Sequence, residues 1–182
     1  MFLIISASPN TDGLTASCVS AALTGFLEAT VDAQHMNLCK LQLNQCLQCN
    51  NGWGTCLEQH TCSQDDQFSI FQQAVAESEG LIIITPVYWG DMAESAKCAF
   101  DRLRRCETRS GDNGILVNKP VIAVAAAGGT GRGISSCLST LERLIQHMRG
   151  DIADLIGVTQ WNRAYRMATI QSAATALVKA QQ

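Results

Sequence analysis

The segment after the first apolar run carries residue types that can bind a phosphate. Its hydroxyl, amide and glycine residues stand just before a stretch with helical spacing, and they are Ser6, Ser8, Asn10, Thr11, Gly13 and Thr15. Unpaired N–H groups and the helix dipole attract an anion to such a position. The segment lacks both GxxxxGK[ST] and GxGxxG, which favours a monophosphate held by neutral donors over a triphosphate or a dinucleotide. The same side chains could equally cap the helix, and the segment alone leaves both interpretations open.

Two later segments offer surfaces for a planar ligand. TPVYWG at residues 85–90 places two aromatics and a glycine directly after an apolar run, and GGTGRG at 128–133 has four glycines in six residues. Tyr88 and Trp89 present flat surfaces, and glycines let the main chain approach a ligand closely. The alternatives are that both aromatics are packing residues and that the glycines only make a turn.

Four cysteines stand in a long segment, residues 39–66, that has no clear periodicity and therefore predicts a functional loop. They follow the spacing C-x2-C-x6-C-x5-C and are Cys46, Cys49, Cys56 and Cys62. Thiolates at such spacing can hold an iron–sulfur cluster, or zinc with His60 as an alternative ligand. The other five cysteines are interpreted as small buried hydrophobes, namely Cys18, Cys39, Cys98, Cys106 and Cys137. No Ser–His–Asp or paired-carboxylate pattern stands out, so no catalytic residue is assigned.

Apolar runs and helical spacing alternate along the chain and predict five strands, each followed by a helix. The strands are expected at residues 2–5, 33–38, 81–85, 120–127 and 151–158, and the last helix from Tyr165 to Ala180. Two of the strands lack polar alternation, which is typical of a parallel sheet with helices on both faces. The loops at 6–15, 86–92 and 128–133 all follow strands and should meet at the carboxyl edge of that sheet.

Composition narrows the class of protein. A chain of 182 residues fits one domain, residues 1–182, and its 47% hydrophobic and 16% charged content indicates a globular protein. The net charge of −3 without a basic stripe argues against a nucleic-acid partner. No apolar run approaches the roughly 20 residues of a membrane span, and no basic leader precedes the first strand. With nine cysteines, an odd count, we expect free thiols and a cytoplasmic protein without a membrane partner.

Taken in order, four motifs resemble those of the NADPH-dependent FMN reductase family of flavodoxin-like proteins. The motifs are SxSPxxxGxT at residues 6–15, TPVYWG at 85–90, KxxxDR at 97–102 and GGTGRG at 128–133. The cysteine-bearing branch of the family, which includes the iron–sulfur flavoproteins, is the most similar. The resemblance implies a flavodoxin-like α/β three-layer sandwich whose five parallel strands follow the order 2-1-3-4-5.

The resemblance also implies an FMN site on the three loops. The residues expected to hold the FMN phosphate are Ser8, Asn10, Gly13, Leu14 and Thr15. Those expected along the isoalloxazine edge are Pro86, Val87, Tyr88, Trp89 and Gly90, with Gly128, Gly129 and Thr130 on its far side. Leu14 departs from the Asn that is frequent in the family, so a side-chain donor is lost. Lys97, Asp101 and Arg102 are expected to form an ion-pair set on a helix surface or subunit interface.

At the cysteines this chain departs from the compact motif of the iron–sulfur flavoproteins. Their third cysteine would fall at position 52, where this chain has Gly52. Since losing one position of a compact motif usually means that the metal is lost, we expect no metal here. The alternatives are that Cys56 replaces the missing ligand in a cluster, or that the loop holds zinc.

The resemblance implies an oxidoreductase that takes hydride from NAD(P)H through FMN and reduces a quinone, a free flavin or another small acceptor. One alternative is a protein-to-protein electron carrier without its own nicotinamide site and possibly with a cluster. Another is a cysteine-rich metal or redox sensor without enzymatic activity. We expect a homodimer or homotetramer, because a shared flavin edge often lies at a subunit interface in proteins that this chain resembles.

Overall fold

A computed structural model describes residues 1–179 of the chain. Five parallel strands form one sheet in the order β2-β1-β3-β5-β6, and a short β4 pairs antiparallel with the end of β3. The strands are β1 Phe2–Ser6, β2 Ala33–Asn37, β3 Leu81–Tyr88, β4 Asp91–Met92, β5 Pro120–Ala127 and β6 Asp151–Thr159. Apart from β4, this is the predicted strand order, so the expected flavodoxin-like sandwich is confirmed.

Helices connect the parallel strands and cover both faces of the sheet. They are α1 Leu14–Glu28, α2 Thr55–Glu58, α3 Phe68–Glu77, α4 Glu94–Glu107, α5 Ile134–His147 and α6 Arg163–Lys179. The last helix matches its predicted position, although Ala180 lies outside the described residues. None of the helices within residues 1–179 is both long and apolar enough to cross a membrane.

Successive side chains of a strand point to opposite sides of the sheet. The unbroken apolar runs of the central strands therefore make both of their faces apolar. On one side Leu3 and Ile5 join the cluster formed with α3, α4 and α5. On the other side Phe2 and Ile4 pack with α1 and α6. The edge strand β2 has only one buried residue, Met36, which confirms its prediction as a half-exposed edge.

The helices α1 and α6 pack closely where α1 has a glycine. A Cβ atom added to Gly25 would lie 2.2 Å from the backbone oxygen of Gln171 in α6. Thr175 of α6 also donates a hydrogen bond from its hydroxyl to the Gly25 carbonyl oxygen, at 2.9 Å. This contact fixes α1, and therefore the loop that leads into it, against the rest of that layer.

The sequence predicted a loop at residues 86–88, but in the structure they form the end of β3. The strand continues because Pro86 pairs with Ala126 of β5, while Val87 and Tyr88 pair with Met92 and Asp91 of β4. The turn at Trp89 and Gly90 joins these two strands, and both residues have positive φ angles, of 53° and 79°. The predicted segment 39–66 is mostly irregular, as expected, and α2 is its longest helix.

Candidate functional site

The sheet register brings the three predicted loops to one edge. Ser6 at the end of β1 pairs with Ile84 of β3, and the Ala7 N–H donates to the Ile84 carbonyl oxygen at 3.1 Å. One strand further, Pro86 pairs with Ala126 near the end of β5. β1 ends level with Ile84 and Val124, and β3 and β5 extend further in the same direction. Because the strands are parallel, the loops that follow them all lie at the carboxyl edge of the sheet.

The loops after β3 and β5 are fixed to each other by two glycines. A Cβ atom on Gly133 would lie 2.6 Å from the Cα of Gly90, and both residues have positive φ angles. The Ser136 hydroxyl at the start of α5 donates to the Gly90 carbonyl oxygen at 2.6 Å. Only glycine fits this close approach without strain. Part of the GGTGRG segment is therefore a structural turn, as one of the two interpretations proposed.

The other glycines of this segment leave room for a ligand. A Cβ atom on Gly128 or Gly129 would meet nothing within 4 Å, and both residues are exposed together with Thr130. Nothing in the packing of residues 1–179 requires glycine at these two positions. Their bare main chain is accessible at the carboxyl end of β5, where the family resemblance led us to expect the far side of an isoalloxazine.

Three hydrogen bonds fix the shape of the segment between β1 and α1, two within the segment and one from β2. The Ser8 hydroxyl accepts from the Asn10 N–H and the Asn10 side-chain oxygen accepts from the Asp12 N–H, each at 3.2 Å. From β2, the Asn37 side-chain amide donates to the Ser8 carbonyl oxygen at 3.0 Å. These bonds fix the loop in a series of bends in front of the first turn of α1.

No side chain caps the amino terminus of α1. Its N-cap residue is Gly13, which makes no side-chain cap hydrogen bond, so the interpretation of this segment as a simple helix cap is not supported. Thr15 in the first turn is only 5% exposed, yet its hydroxyl has no hydrogen-bond partner among residues 1–179. Thr15 lines a cleft, and its hydroxyl oxygen is not sealed from solvent, so it is free to bond a ligand there. Free N–H groups at a helix start attract anions. The two features together fit a bound phosphate.

A cleft of about 300 Å³ opens beside Thr15, between α1 and the edge strand β2. It is lined by Ser6, Ser8, Asn10, Thr11, Thr15, Ala16, Val19, Ser20, Leu23, His35, Asn37 and Lys40. Three of the five predicted phosphate residues are among them, whereas Gly13 and Leu14 are not. Lys40 and His35 were missed by the sequence, which suggested neutral donors only.

His35 is oriented by the strand beside it. Its Nε2 lies 2.9 Å from the Ser6 hydroxyl oxygen. Burial lowers the pKa of His35, and the positive charge of Lys40 lowers it further. The neutral imidazole is therefore favoured near pH 7, which leaves Lys40 as the cation of the cleft. The strand order 2-1-3 could have suggested both residues, because it places the end of β2 beside the end of β1.

The two predicted aromatics are exposed, so neither is a packing residue within this chain. Tyr88 is 48% exposed, and Trp89 is fully exposed at the turn after β3. Pro86 and Val87 are less exposed than the two aromatics, since both are half-buried. Val87 packs against the apolar core and lies close to Gly133. Its side chain is half-buried, so Val87 is only partly available to a ligand.

A larger cleft, of about 720 Å³, lies next to Tyr88 and separates it from the cysteine segment. Its lining comes from the cysteine segment, the β3–β4 hairpin and α4, namely Leu43, Asn44, Gln45, Cys46, Tyr88, Met92, Glu94, Lys97, Cys98 and Asp101. Lys97 and Asp101 form an ion pair at 2.6 Å on its wall, with each side chain about half exposed. The cleft has the size of sites that hold small organic ligands.

Arg102 was expected on a helix surface or at a subunit interface, but in the structure it is buried, with 2% exposure. Its two terminal nitrogens pair with the Asp66 carboxylate at 2.6 and 2.9 Å, and its guanidinium lies 4.2 Å from the centre of the Phe68 ring. Burial acts to raise the pKa of Asp66, but hydrogen bonds from Arg102 and from the Asn44 and Phe68 N–H groups outweigh it and lower that pKa. The pair ties the cysteine segment to α4.

The four cysteines of the loop do come together in space. Cys46, Cys49, Cys56 and Cys62 line one small cavity, which they share with Arg102, Arg105 and the buried Cys106. The cavity volume is about 20 Å³, which is room for about one water molecule. Within residues 1–179, no three side chains of His, Cys, Asp or Glu are arranged to hold a metal ion.

These thiols therefore do not fit a cluster as they stand, and Gly52 contributes no ligand at the third position of the compact motif. The alternative zinc ligand, His60, directs Nδ1 to the Cys106 carbonyl oxygen at 2.8 Å and to the Ser110 hydroxyl at 3.2 Å. That ring nitrogen is already engaged away from the thiols. The expectation that the loop holds no metal remains a prediction.

The other cysteines are only partly as predicted. Cys18, Cys106 and Cys137 are fully buried, and burial raises the pKa of each thiol to about 12. Cys39 is exposed, so its prediction as a buried residue is wrong, and Cys98 is only half-buried. Cys39 follows the edge strand directly, where the chain turns into solvent before the cysteine segment begins.

Comparison with known proteins agrees with this architecture. The family model of NADPH-dependent FMN reductase matches residues 1–162. An iron–sulfur flavoprotein of Methanocaldococcus jannaschii is 31% identical over 100 residues, which cover 55% of this chain and 50% of that protein. An iron–sulfur flavoprotein of Methanosarcina thermophila is 26% identical over 168 residues, which cover 88% of this chain and 82% of the relative. The chain thus matches only half of the first of these relatives.

Among solved structures, a flavone reductase superposes with a TM-score of 0.75 at 15% identity, over 99% of this chain and 62% of the other. An NAD(P)H:quinone oxidoreductase from Methanothermobacter marburgensis gives a TM-score of 0.68 at 15% identity, over 97% and 94% of the two chains. At these identities the likeness establishes the fold alone.

Proposed function

Because the chain belongs to the NADPH-dependent FMN reductase family, we propose that it binds FMN at the carboxyl edge of its sheet and uses NAD(P)H to reduce a small acceptor. The acceptor would be a quinone, a free flavin or a similar molecule. The observation that carries the FMN site is the Thr15 hydroxyl, which has no partner among residues 1–179 and lines the cleft beside an uncapped helix start. Both features favour a phosphate at this position.

The chain's own residues would bind and orient the cofactor. Ser8, Asn10, Gly13, Leu14 and Thr15 would hold the phosphate through hydroxyls, an amide and main-chain N–H groups, with Lys40 as a cation that lines the same cleft. Pro86, Val87, Tyr88, Trp89 and Gly90 would line one edge of the ring, and Gly128, Gly129 and Thr130 the other. Bound FMN would supply the hydride and electron chemistry, so no acid–base residue of the protein is required.

The cleft of about 720 Å³ beside Tyr88 is the proposed place for the second reactant. It adjoins the ring edge expected at Tyr88, and it is large enough for a nicotinamide or a quinone ring. Its lining carries both signs of charge, from Lys97, Glu94 and Asp101, which all belong to α4. A neutral aromatic acceptor suits such a lining better than a strongly charged one.

A direct test of the phosphate position is Thr15→Val, which keeps the shape of the side chain and removes the hydroxyl. FMN affinity, measured by quenching of flavin fluorescence, should fall by about 1–3 kcal/mol, the usual range for a hydrogen bond to a charged group. Changing both Ser8 and Thr15 to Ala should also weaken FMN binding by about 1–3 kcal/mol and leave the fold intact.

The matched control is Thr24→Val on the same helix, since the Thr24 hydroxyl bonds only to the Ser20 carbonyl oxygen at 2.9 Å. This variant should bind FMN as the unmodified protein does. Equal FMN affinity for the Thr15 and Thr24 variants would remove this loop from the cofactor site.

A protein-to-protein electron carrier is the second candidate, favoured by the names of the iron–sulfur flavoprotein relatives. Stopped-flow mixing of the flavin-loaded protein with NADH and NADPH separates the two functions. Rapid bleaching of the flavin supports the reductase, and no bleaching supports the carrier. Protein purified with metal but without flavin would instead support a sensor. A homodimer or homotetramer is proposed for either flavoprotein, and light scattering measures it.

A further inference from the structure

Three thiols of the cysteine segment and α4, those of Cys56, Cys62 and Cys106, line one cavity. The Thr55 hydroxyl donates to the Thr61 carbonyl oxygen at 2.7 Å, which closes a turn and draws the next residues, Cys56 and Cys62, together. Both thiols line the same cavity and pack on the same side of the core as Cys106. Burial raises the pKa of Cys106, and negative charge on Cys56 and Cys62 raises it further, as expected for close neighbours.

A buried guanidinium contacts one of these sulfurs. The Nη2 of Arg102 donates to the Sγ of Cys62 at 3.2 Å, while the Asp66 carboxylate holds the same group in place. A positive hydrogen-bond donor stabilises negative charge that develops on a sulfur, and the thiolate is the reactive form of cysteine. Cys56 and Cys62 are half-buried and Cys106 is fully buried, so a reagent from solvent can reach only the first two. Of these, Cys62 is the one that Arg102 contacts.

The cavity also contains unused hydrogen-bond donors. Arg102 and Arg105 both line it, and among residues 1–179 the buried Nε of each has no hydrogen-bond partner. The Trp53 ring holds the Arg105 side chain, since the guanidinium lies 4.3 Å from the centre of that ring. Asp66 already neutralises Arg102. The Arg105 guanidinium is therefore the charge beside the thiols that favours an anionic molecule over a cationic one.

We propose that Cys62 and Cys56 form a redox-active thiol pair that reduces small, carboxylate-bearing disulfides. The Cys62 thiolate attacks one sulfur of the small disulfide, the S–S bond breaks, and one thiolate leaves and takes up a proton. The Cys56 thiolate then attacks the Cys62 sulfur, forms the Cys56–Cys62 disulfide and expels the second small thiolate, which is also protonated. Two electrons pass from the protein thiols to the small disulfide.

This reaction uses the two half-buried thiols without metal and without flavin, so it does not depend on the proposed function. It gives Cys56 and Cys62 a chemical role in a segment whose thiols are not arranged as a metal site. Arg102 acts on Cys62 as a positioning residue, and Arg105 sets the preference for the charge of the small disulfide.

The experiment exposes the reduced, anaerobic protein to oxidised glutathione and maps its cysteines by mass spectrometry. The unmodified protein should yield a peptide cross-linked between Cys56 and Cys62. Cys56→Ser should trap one glutathione on Cys62, and Cys62→Ser should give neither product. Cys39→Ser, which changes an exposed thiol outside the cavity, should react like the unmodified protein.

Replacing glutathione by the cationic disulfide cystamine tests the role of charge. Oxidised glutathione should cross-link the pair about tenfold faster, because it is anionic, and Arg105→Gln should bring the two rates close together. Circular dichroism of each variant verifies that it is folded, and Arg105→Lys, which retains the charge, should retain most of the preference.

Three outcomes would overturn the proposal. The first is glutathione attached mainly to Cys39 without a Cys56–Cys62 cross-link. The second is equal rates with both disulfides in the unmodified protein. The third is stoichiometric iron or zinc in the purified protein that is lost in Cys56→Ser, since these thiols would then be metal ligands.

Discussion

The ion pair between Arg102 and Asp66 offers a sharp test of how the cysteine segment is held. The two side chains are 1% and 3% exposed, so solvent does little to screen their interaction. Removing one partner of a buried pair leaves an unpaired charge and typically costs about 3–5 kcal/mol. Asp66→Asn keeps one acceptor for the guanidinium, so we expect a loss near the lower end, about 3 kcal/mol in the free energy of unfolding.

The assay is urea unfolding followed by circular dichroism at pH 7. Asp101→Asn is the matched control, because the pair of Asp101 with Lys97 is about half exposed and should contribute under about 1 kcal/mol. If Asp66→Asn costs no more than Asp101→Asn, the reasoning from burial is wrong.

The same pair predicts a dependence on pH. The pKa of Asp66 is below its ordinary value of 3.8 in the folded protein. The carboxylate therefore contributes stability that is present above the unfolded pKa and is lost as the pH falls through the lower folded value. Unfolding free energies measured from pH 6 downward should fall less steeply in acid for Asp66→Asn than for the unmodified protein. Parallel curves for the two proteins would contradict the assignment.

Three further changes test other parts of the structure. Gly25→Ala should lower the unfolding free energy by about 1–3 kcal/mol in urea, because its Cβ would lie 2.2 Å from the Gln171 backbone oxygen; unchanged stability would refute the close packing of α1 and α6. Gly133→Ala should weaken FMN binding in the fluorescence titration, because its Cβ would displace Gly90, and unaltered affinity would separate this turn from the cofactor site. Lys40→Ala should weaken FMN binding by about 0.5–1 kcal/mol at low salt and by less at high salt, whereas an effect independent of salt would contradict its role as the cation of the cleft.

Local sequence determined the elements and the edge where the site lies. The apolar runs at 81–85 and 120–127 could only be strands buried on both faces, and the helical spacing between them required a parallel arrangement. Because ligands bind at the carboxyl edge of such sheets, the positions of the three loops were predictable without the structure. Hydroxyl side chains can bond a ligand and glycines expose the main chain wherever the loop lies, so these residues could be recognised as candidate ligand-binding residues from the sequence.

What the sequence could not determine depends on contacts between residues far apart in the chain. Arg102 appeared to share a surface with Lys97 and Asp101, because helical spacing places them near one another. Only the fold brings Asp66 and Cys62 to it, and burial then decides that the pair is strong. Lys40 reaches the cleft for the same reason, since β2 becomes a neighbour of β1 only when the sheet forms.

The cysteines show this division most clearly. Their spacing identified the segment as a group of thiols, but spacing cannot tell which sulfurs meet, because an irregular loop has no repeat from which distances follow. The structure decides it through the turn closed by Thr55 and Thr61 and through the guanidinium that α4 presents to Cys62. Sequence thus determined which chemical groups the protein has, and packing between distant segments decided which of them lie within reach of one another.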